Sequence, residues 1–339
     1  MLYKLLAVAM KLKATDLHIE LGKEVWFRLG SDIVRGCELA TADEFSGVGG
    51  NICDESIFLQ IYKACNEDSQ MIDGAFSFSS IRVRVHLYKA QEIRCATLRL
   101  LYSNDLLLPQ NDEGDLLRNI ALLKDGLFII SGPTGSGKSF TLASCIQYIN
   151  QCEAKHIVTI EDPIEFVFSN KKSLIHQRQL GRDVESMALG IKEALREDPD
   201  VIMIGELRDR LTLEAALHAA ETGHLVFCTL HTQRAVMAIN RMISMFPAEQ
   251  QEEVRAQLSQ VLRAVICQRL VRQGDQFIPV RDILINNAAV ANLIRQRKEP
   301  QIVSIQEMQR PMQTMEMAVN KVRAVLGPCE QLDSLLDEL

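Results

Sequence analysis

The chain has 339 residues, 47% of them hydrophobic and 24% charged, with a formal net charge of −7. That length exceeds what one hydrophobic core usually organises, so two domains with the composition of an ordinary soluble globular protein are expected. The acidic balance, with no basic stretch interleaved with aromatics, speaks against nucleic acid as a partner.

The first residues, MLYKLLAVAMKLK, make an apolar run too short to span a bilayer, and they lack a small-residue cleavage pattern. Leu2, Leu5, Leu6, Ala9 and Met10 recur at helical spacing with Lys4, Lys11 and Lys13 between them. This suits a helix packed on its own domain better than a membrane-surface anchor. No later segment could cross a bilayer, so direct membrane insertion is not expected. Residues 16–21 and 25–29 alternate like half-buried strands around a Gly22-Lys23-Glu24 turn. Thr41 and Asp43 stand where a helix would open, and residues 55–64 read as another helix. Residues 75–78 suggest a short strand. Residues 81–88 place Ile81, Val83, Val85 and Leu87 on one strand face and Arg82, Arg84 and His86 on the other. Residues 92–101 form a further strand carrying Arg94 and Arg99. The whole of 1–103 reads as a small α+β module. Residues 104–116, with Pro, Gly, Asn and Asp, read as a linker.

From 117 to 339 apolar strands alternate with helices, the pattern of an α/β domain built on a parallel sheet. At its start, residues 126–141 read GLFIISGPTGSGKSFT. An apolar strand runs into a glycine-rich turn, and an apolar-periodic helix follows Lys138-Ser139. Gly132, Gly137, Lys138 and Ser139 satisfy G-x-x-x-x-G-K-[ST] in the strand–loop–helix setting that this pattern requires. Glycines let backbone N–H groups of Gly135, Ser136, Gly137, Lys138 and Ser139 turn inward around phosphate oxygens, and the helix N-terminus favours negative charge. Lys138 is placed to reach β- and γ-phosphates, and the Ser139 hydroxyl to ligate Mg²⁺. The expected nucleotide-binding set is therefore Gly132, Pro133, Thr134, Gly135, Ser136, Gly137, Lys138, Ser139 and Phe140, with ATP and Mg²⁺ as ligands.

Two acidic sites follow. Residues 157–165, IVTIEDPIE, end a strand in Glu161-Asp162 and continue through a proline to Glu165. A carboxylate there can orient a water for attack on the γ-phosphorus, although an acidic solvated loop would look the same. Residues 200–209, DVIMIGELRD, have the layout of a Walker B element, with Glu206 just past a buried strand and suited to the Mg²⁺ shell. His224 and His231 flank the next apolar strand, where imidazoles can sense phosphate or bond the carboxylates, or serve structure alone. From Pro247, PAEQQEEVRAQLSQVLRAVICQRL reads as one long amphipathic helical run, followed by a strand at 278–285 and further helices. Nine cysteines lie scattered without a Cys-x-x-Cys pair, as expected of reduced, mostly buried thiols rather than disulfides or a zinc site.

GPTGSGKS, TIEDPIEF, ALREDPDVIMIGELRD and AAETGHLVFCTLHT, in this order, resemble the secretion and type IV pilus ATPases, most closely the PilT-like retraction motors. The resemblance extends to ATDLHIELG near the N-terminus and to MFPAEQQEEVRAQLSQVLRAVICQRL. It implies a RecA-like P-loop ATPase domain preceded by a smaller PAS-like domain, assembled as a homo-hexamer. It also implies a motor in the cytoplasm, at the inner face of the inner membrane, acting on a pilus platform protein to retract pili. By the same resemblance, Lys138 and Ser139 take Walker A roles and Glu206 the Walker B role. Glu165 matches the proposed catalytic glutamate, and His224 and His231 the His box. Arg84 and Arg99 match arginines that contact nucleotide across subunits. The longer N-terminus and four-cysteine zinc element usual in assembly ATPases are missing, which favours retraction. Residues 289–296, AVANLIRQ, keep Asn292, Leu293, Ile294 and Arg295 of a retraction motif resembling AIRNLIRE but depart at Val290, Ala291 and Gln296. Phe140 stands where a threonine is usual. These departures suggest a divergent member, of the type IVb kind found with bundle-forming pili. The alternatives are an ATPase for type II or type IV secretion or for pilus assembly, then a RecA-like nucleic-acid translocase, and a nucleotide-binding scaffold without turnover.

Overall fold

In a computed structural model of the protein, the strand periodicities of the N-terminal third form one antiparallel sheet. The structure describes residues 1–30, 32–39, 52–65, 73–79, 81–102, 106–273, 276–327 and 330–337. The helix expected at Thr41 and Asp43, residues 104 and 105 of the expected linker, and Cys329 lie outside the described residues. The chain divides into two compact units, Met1–Asp105 with Pro163–Val167, and Leu106–Asp162 with Phe168–Leu339.

In the first unit, β1 (Asp16–Glu20), β2 (Trp26–Leu29), β3 (Asp32–Arg35), β4 (Asp73–Phe78), β5 (Ile81–Ala90) and β6 (Ile93–Tyr102) lie in the order β3-β2-β1-β6-β5-β4. Every pairing is antiparallel. Because strand side chains alternate, Leu17, Phe27, Val83, Val85 and Leu98 share one buried face. Leu2, Leu5 and Leu6 of the helix Leu2–Lys11 enter the same core, as do Ile57, Phe58 and Ile61 of the helix Glu55–Cys65. The apolar stripe of the first thirteen residues is thereby used up on its own domain. Strand β3, mostly exposed, has no apolar alternation by which the sequence could have revealed it.

The second unit is built on β7 (Gly126–Ser131), β8 (His156–Glu161), β9 (Leu174–Gln179), β10 (Val201–Ile204), β11 (Leu225–Leu230), β12 (Leu262–Gln273) and β13 (Gln276–Ile285). Their order is β13-β12-β7-β11-β10-β8-β9, parallel throughout except for β13 at one edge. Helices cover both faces, so the strands are apolar on both sides. Leu127, Ile129, Ile202, Ile204, Val226 and Cys228 enter one core. Phe128, Ile130, Val201, Met203 and Phe227 enter another on the opposite face, where Leu142, Cys145, Ile146 and Ile149 of the helix Lys138–Cys152 meet them. Helix starts are fixed locally: Asn111, Ser186 and Asp209 each accept a first-turn backbone N–H. The Asn111 cap opens a helix over Asp112–Ala121, so the last residues of the expected linker are helical.

One long stretch differs from its sequence reading. The run from Pro247 is helical only over Gln251–Val261, apart from a short 3-10 turn before it, and then becomes the twelve-residue strand β12. Its apolar middle, Ala264 to Cys267, is buried on both faces, and a continuous apolar run has no period to separate strand from helix. Pairing with β7 on one side and β13 on the other decides the matter.

Candidate active site

The parallel register brings the strand ends together. Ser131 of β7 lies opposite Leu230 of β11, and Ile204 of β10 lies between Cys228 of β11 and Ile160 of β8. The segments following β7, β8, β10 and β11 therefore all leave one carboxyl edge, where ligands bind in open α/β sheets.

After β7 comes the glycine-rich loop. Gly132, Gly135 and Gly137 have φ of 145°, 79° and 78°, conformations that side chains rarely tolerate. At Gly132 a Cβ would also collide with the backbone carbonyl of Gln268 on β12. Gly137 starts the helix Lys138–Cys152 without any side-chain cap, leaving a helix N-terminus suited to an anion. The Lys138 ammonium is buried and donates to the carbonyls of Gly132 and Pro133 at 2.8 and 2.9 Å. Ser136 Oγ is buried without a hydrogen-bond partner among the described residues, a polar atom that a phosphate oxygen would satisfy. Thr134, Gly135 and Ser139 are exposed, and so is the Phe140 ring, whose residue's carbonyl accepts from Ser144 Oγ at 2.8 Å.

Beside this loop the segments after β8, β10 and β11 are tied together. Arg208 donates from Nε to Glu206 Oε2 at 2.9 Å and from Nη1 to Asp162 Oδ2 at 3.1 Å. His231 Nε2 lies 3.3 Å from Glu206 Oε1. Thr229 Oγ1 donates to the Gly205 carbonyl, and Gly205 N–H to the Ile160 carbonyl at 2.8 Å, which fixes the turn that presents Glu206. Thr232 is bound to β7 through Ser131 Oγ, 2.6 Å from its own hydroxyl. Glu161 is buried at the end of β8 and accepts from Thr159 Oγ1 at 2.6 Å and Gln177 Nε2 at 3.1 Å.

One expected residue stands at the opposite edge of the sheet. His224 precedes β11, at the amino edge, and its carbonyl accepts from Gly126 N–H at the start of β7. Its ring faces the Ala219 carbonyl and Thr222 Oγ1 at 3.0 and 3.1 Å. Six strand residues at about 3.3 Å each put it roughly 20 Å from His231, so His224 helps end the preceding helix instead of serving this site. Glu165 is half-buried in Pro163–Val167, the segment grouped with the first unit. In that unit, Arg84 and Arg99 are directly opposite each other on β5 and β6. Arg99 Nε also donates to the buried Asp16 carboxylate at 2.9 Å. The sequence reading missed Arg208, Thr232 and above all Gln268, whose one signal is a polar residue inside the apolar run AVICQRL.

Residues 72–325 match the family model described as type II/IV secretion system protein. The chain belongs to that family. Among its relatives is the type IV pilus retraction ATPase PilT of Pseudomonas aeruginosa, 37% identical over 93% of this chain and 92% of that protein. A twitching motility protein of Neisseria gonorrhoeae is 44% identical over 74% of this chain and 68% of its own length. A crystal structure of the pilus retraction motor PilT with bound ADP superimposes with a TM-score of 0.81 at 37% identity, covering 98% of this chain and 96% of that one. As a member of the secretion ATPase family, the chain has the expected α/β fold, an N-terminal domain followed by an ATPase domain, and is an ATPase that binds nucleotide.

Proposed function

We propose that this protein is a motor that hydrolyses ATP to retract type IV pili. The observation that carries the reading is the glycine-rich loop, with Lys138, on the same sheet edge as the Glu206–His231 pair, in a chain alignable almost end to end with a retraction ATPase. The N–H groups of Gly135 to Ser139 seat the phosphates, and Lys138 exchanges two neutral carbonyl partners for phosphate oxygens. Such an exchange favours ligand because the ammonium then faces opposite formal charge in place of carbonyl dipoles. A hydroxyl, a single carboxylate and the substrate's phosphates are a donor set that suits Mg²⁺, which keeps several waters. Ser139 and Glu206 would hold Mg²⁺, which when bound supplies positive charge for the β- and γ-phosphate oxygens. Glu165 orients the attacking water. His231, beside Glu206, reports the state of that carboxylate to the segment after β11. Arg84 and Arg99 complete a neighbouring subunit's site within a homo-hexamer, stabilising charge on the transferring group. The ring works on a pilus platform protein at the inner face of the inner membrane. Among the described residues no helix is long and apolar enough to cross a membrane.

Deleting the gene and imaging surface pili tests this. The expected result is more pili with twitching lost, restored by the wild-type protein and not by Lys138→Ala. Bald cells would make it an assembly motor, and normal pili with a secretion defect a secretion ATPase.

A further inference from the structure

Strand β12 forms the floor of the glycine-rich loop, and one side chain dominates the contact. Gln268 is 2% exposed. Its Nε2 donates to the Ser136 carbonyl at 2.6 Å and lies 3.0 Å from where a Cβ on Gly137 would stand. Its Oε1 accepts from Thr141 Oγ1 at 3.0 Å, one turn into the following helix, and from Arg281 Nε on β13 at 2.8 Å. Arg281 has no acceptor atom, so the oxygen end of the amide must face it and the nitrogen end must face the loop. Arg281, 5% exposed, is held in turn by Glu113 Oε2 at 2.7 Å, and Glu113 Oε1 accepts from Gln313 Nε2 at 3.2 Å.

We propose that Gln268 is a positioning residue for nucleotide: held by Arg281, it pulls the Ser136 carbonyl down onto β12 so that the loop's N–H groups face the phosphates. Each peptide unit carries its C=O and N–H on opposite sides, so tying the Ser136 carbonyl to the floor turns the Gly137 N–H to the ligand side. A buried amide with both ends satisfied holds this orientation more firmly than exposed loop packing. Thr141 ties the same amide to the helix, so loop and helix N-terminus keep one mutual setting. The inference rests on the ATPase reading and adds a residue to it that touches no substrate.

Two variants test it, read by calorimetric titration with Mg·ADP and by thermal unfolding without nucleotide. Gln268→Glu keeps acceptors for Arg281 and Thr141 and gains a buried charge partner, but turns a carboxylate oxygen toward the Ser136 carbonyl. Gln268→Met removes both ends. Losing a buried bond and leaving its partner unsatisfied predicts Mg·ADP affinity weaker by about tenfold or more in each. In Gln268→Glu the unfolding temperature stays near that of wild type, and KM for ATP rises more than kcat falls. Affinity equal to wild type in a folded Gln268→Glu protein overturns the proposal, as does a lowered unfolding temperature with affinity unchanged. Should Gln268→Met fail to fold, Gln268→Glu decides alone. Wild-type binding of Mg·ADP tests the ATPase reading, whereas only the ratio of variant to wild type tests the role of Gln268.

Discussion

Single side chains here carry consequences that their residue types conceal. Asp282 on β13 is 3% exposed and accepts from the Ala235 N–H at 2.8 Å and Gln306 Nε2 at 2.7 Å. Burial outweighs those bonds and pushes its carboxyl up to about 6. Between about pH 4 and pH 6 the native state then holds a proton that the unfolded chain has released, so stability falls as pH rises through that window. Asp282→Asn removes the proton. Its stability relative to wild type should rise by about 2 kcal/mol between pH 4.5 and pH 7 in urea unfolding, and a constant difference would refute the assignment. The thiols follow similar physics: burial pushes Cys145 and Cys267 up to about 12, so neither is a nucleophile at neutral pH. Lys138 and the glycines were legible from spacing alone because the phosphate loop is a local device. Gln268 was not, since its partners stand more than a hundred residues away at Ser136 and Thr141.

Elements divide the same way. Where a face is buried and the other wet, as in β5, alternation names the strand and its inner residues. Where both faces are buried, as in β12, the pattern is silent, and a helix N-terminal to it extends by eye into the strand. Helix starts are local and hence testable one at a time. Asp209 accepts from Thr212 N–H and from Thr212 Oγ1, both at 2.9 Å, at the start of the helix Arg210–Glu221 that follows Glu206. Asp209→Ala should cost about 1 kcal/mol, measured as a lower midpoint in denaturant with an unchanged slope. An unaltered midpoint would mean that packing of Leu213, Ala216 and Leu217 alone holds this helix start.

At the scale of the whole molecule, one protomer supplies both halves of the proposed chemistry, a phosphate loop in one unit and an arginine pair in the other. If Arg84 acts on a neighbour's nucleotide, Arg84→Ala subunits keep a sound loop and Lys138→Ala subunits keep a sound arginine. Mixing the two inactive proteins should then restore ATPase activity above either alone, whereas a mixture as inactive as its components would confine Arg84 to its own subunit. What the sequence determined by itself was the phosphate loop, the strand–turn carboxylate at Glu206 and the kinship that those motifs carry. Each depends on residues within a few positions of one another, or on a period repeated along one element. Tertiary structure alone decided that residues 262–273 are a strand, that His231 meets Glu206, and that Gln268 underlies the loop. These follow from strand order and direction in the sheet. A parallel strand carries its two ends to opposite edges and meets neighbours distant in sequence, and no local pattern encodes that.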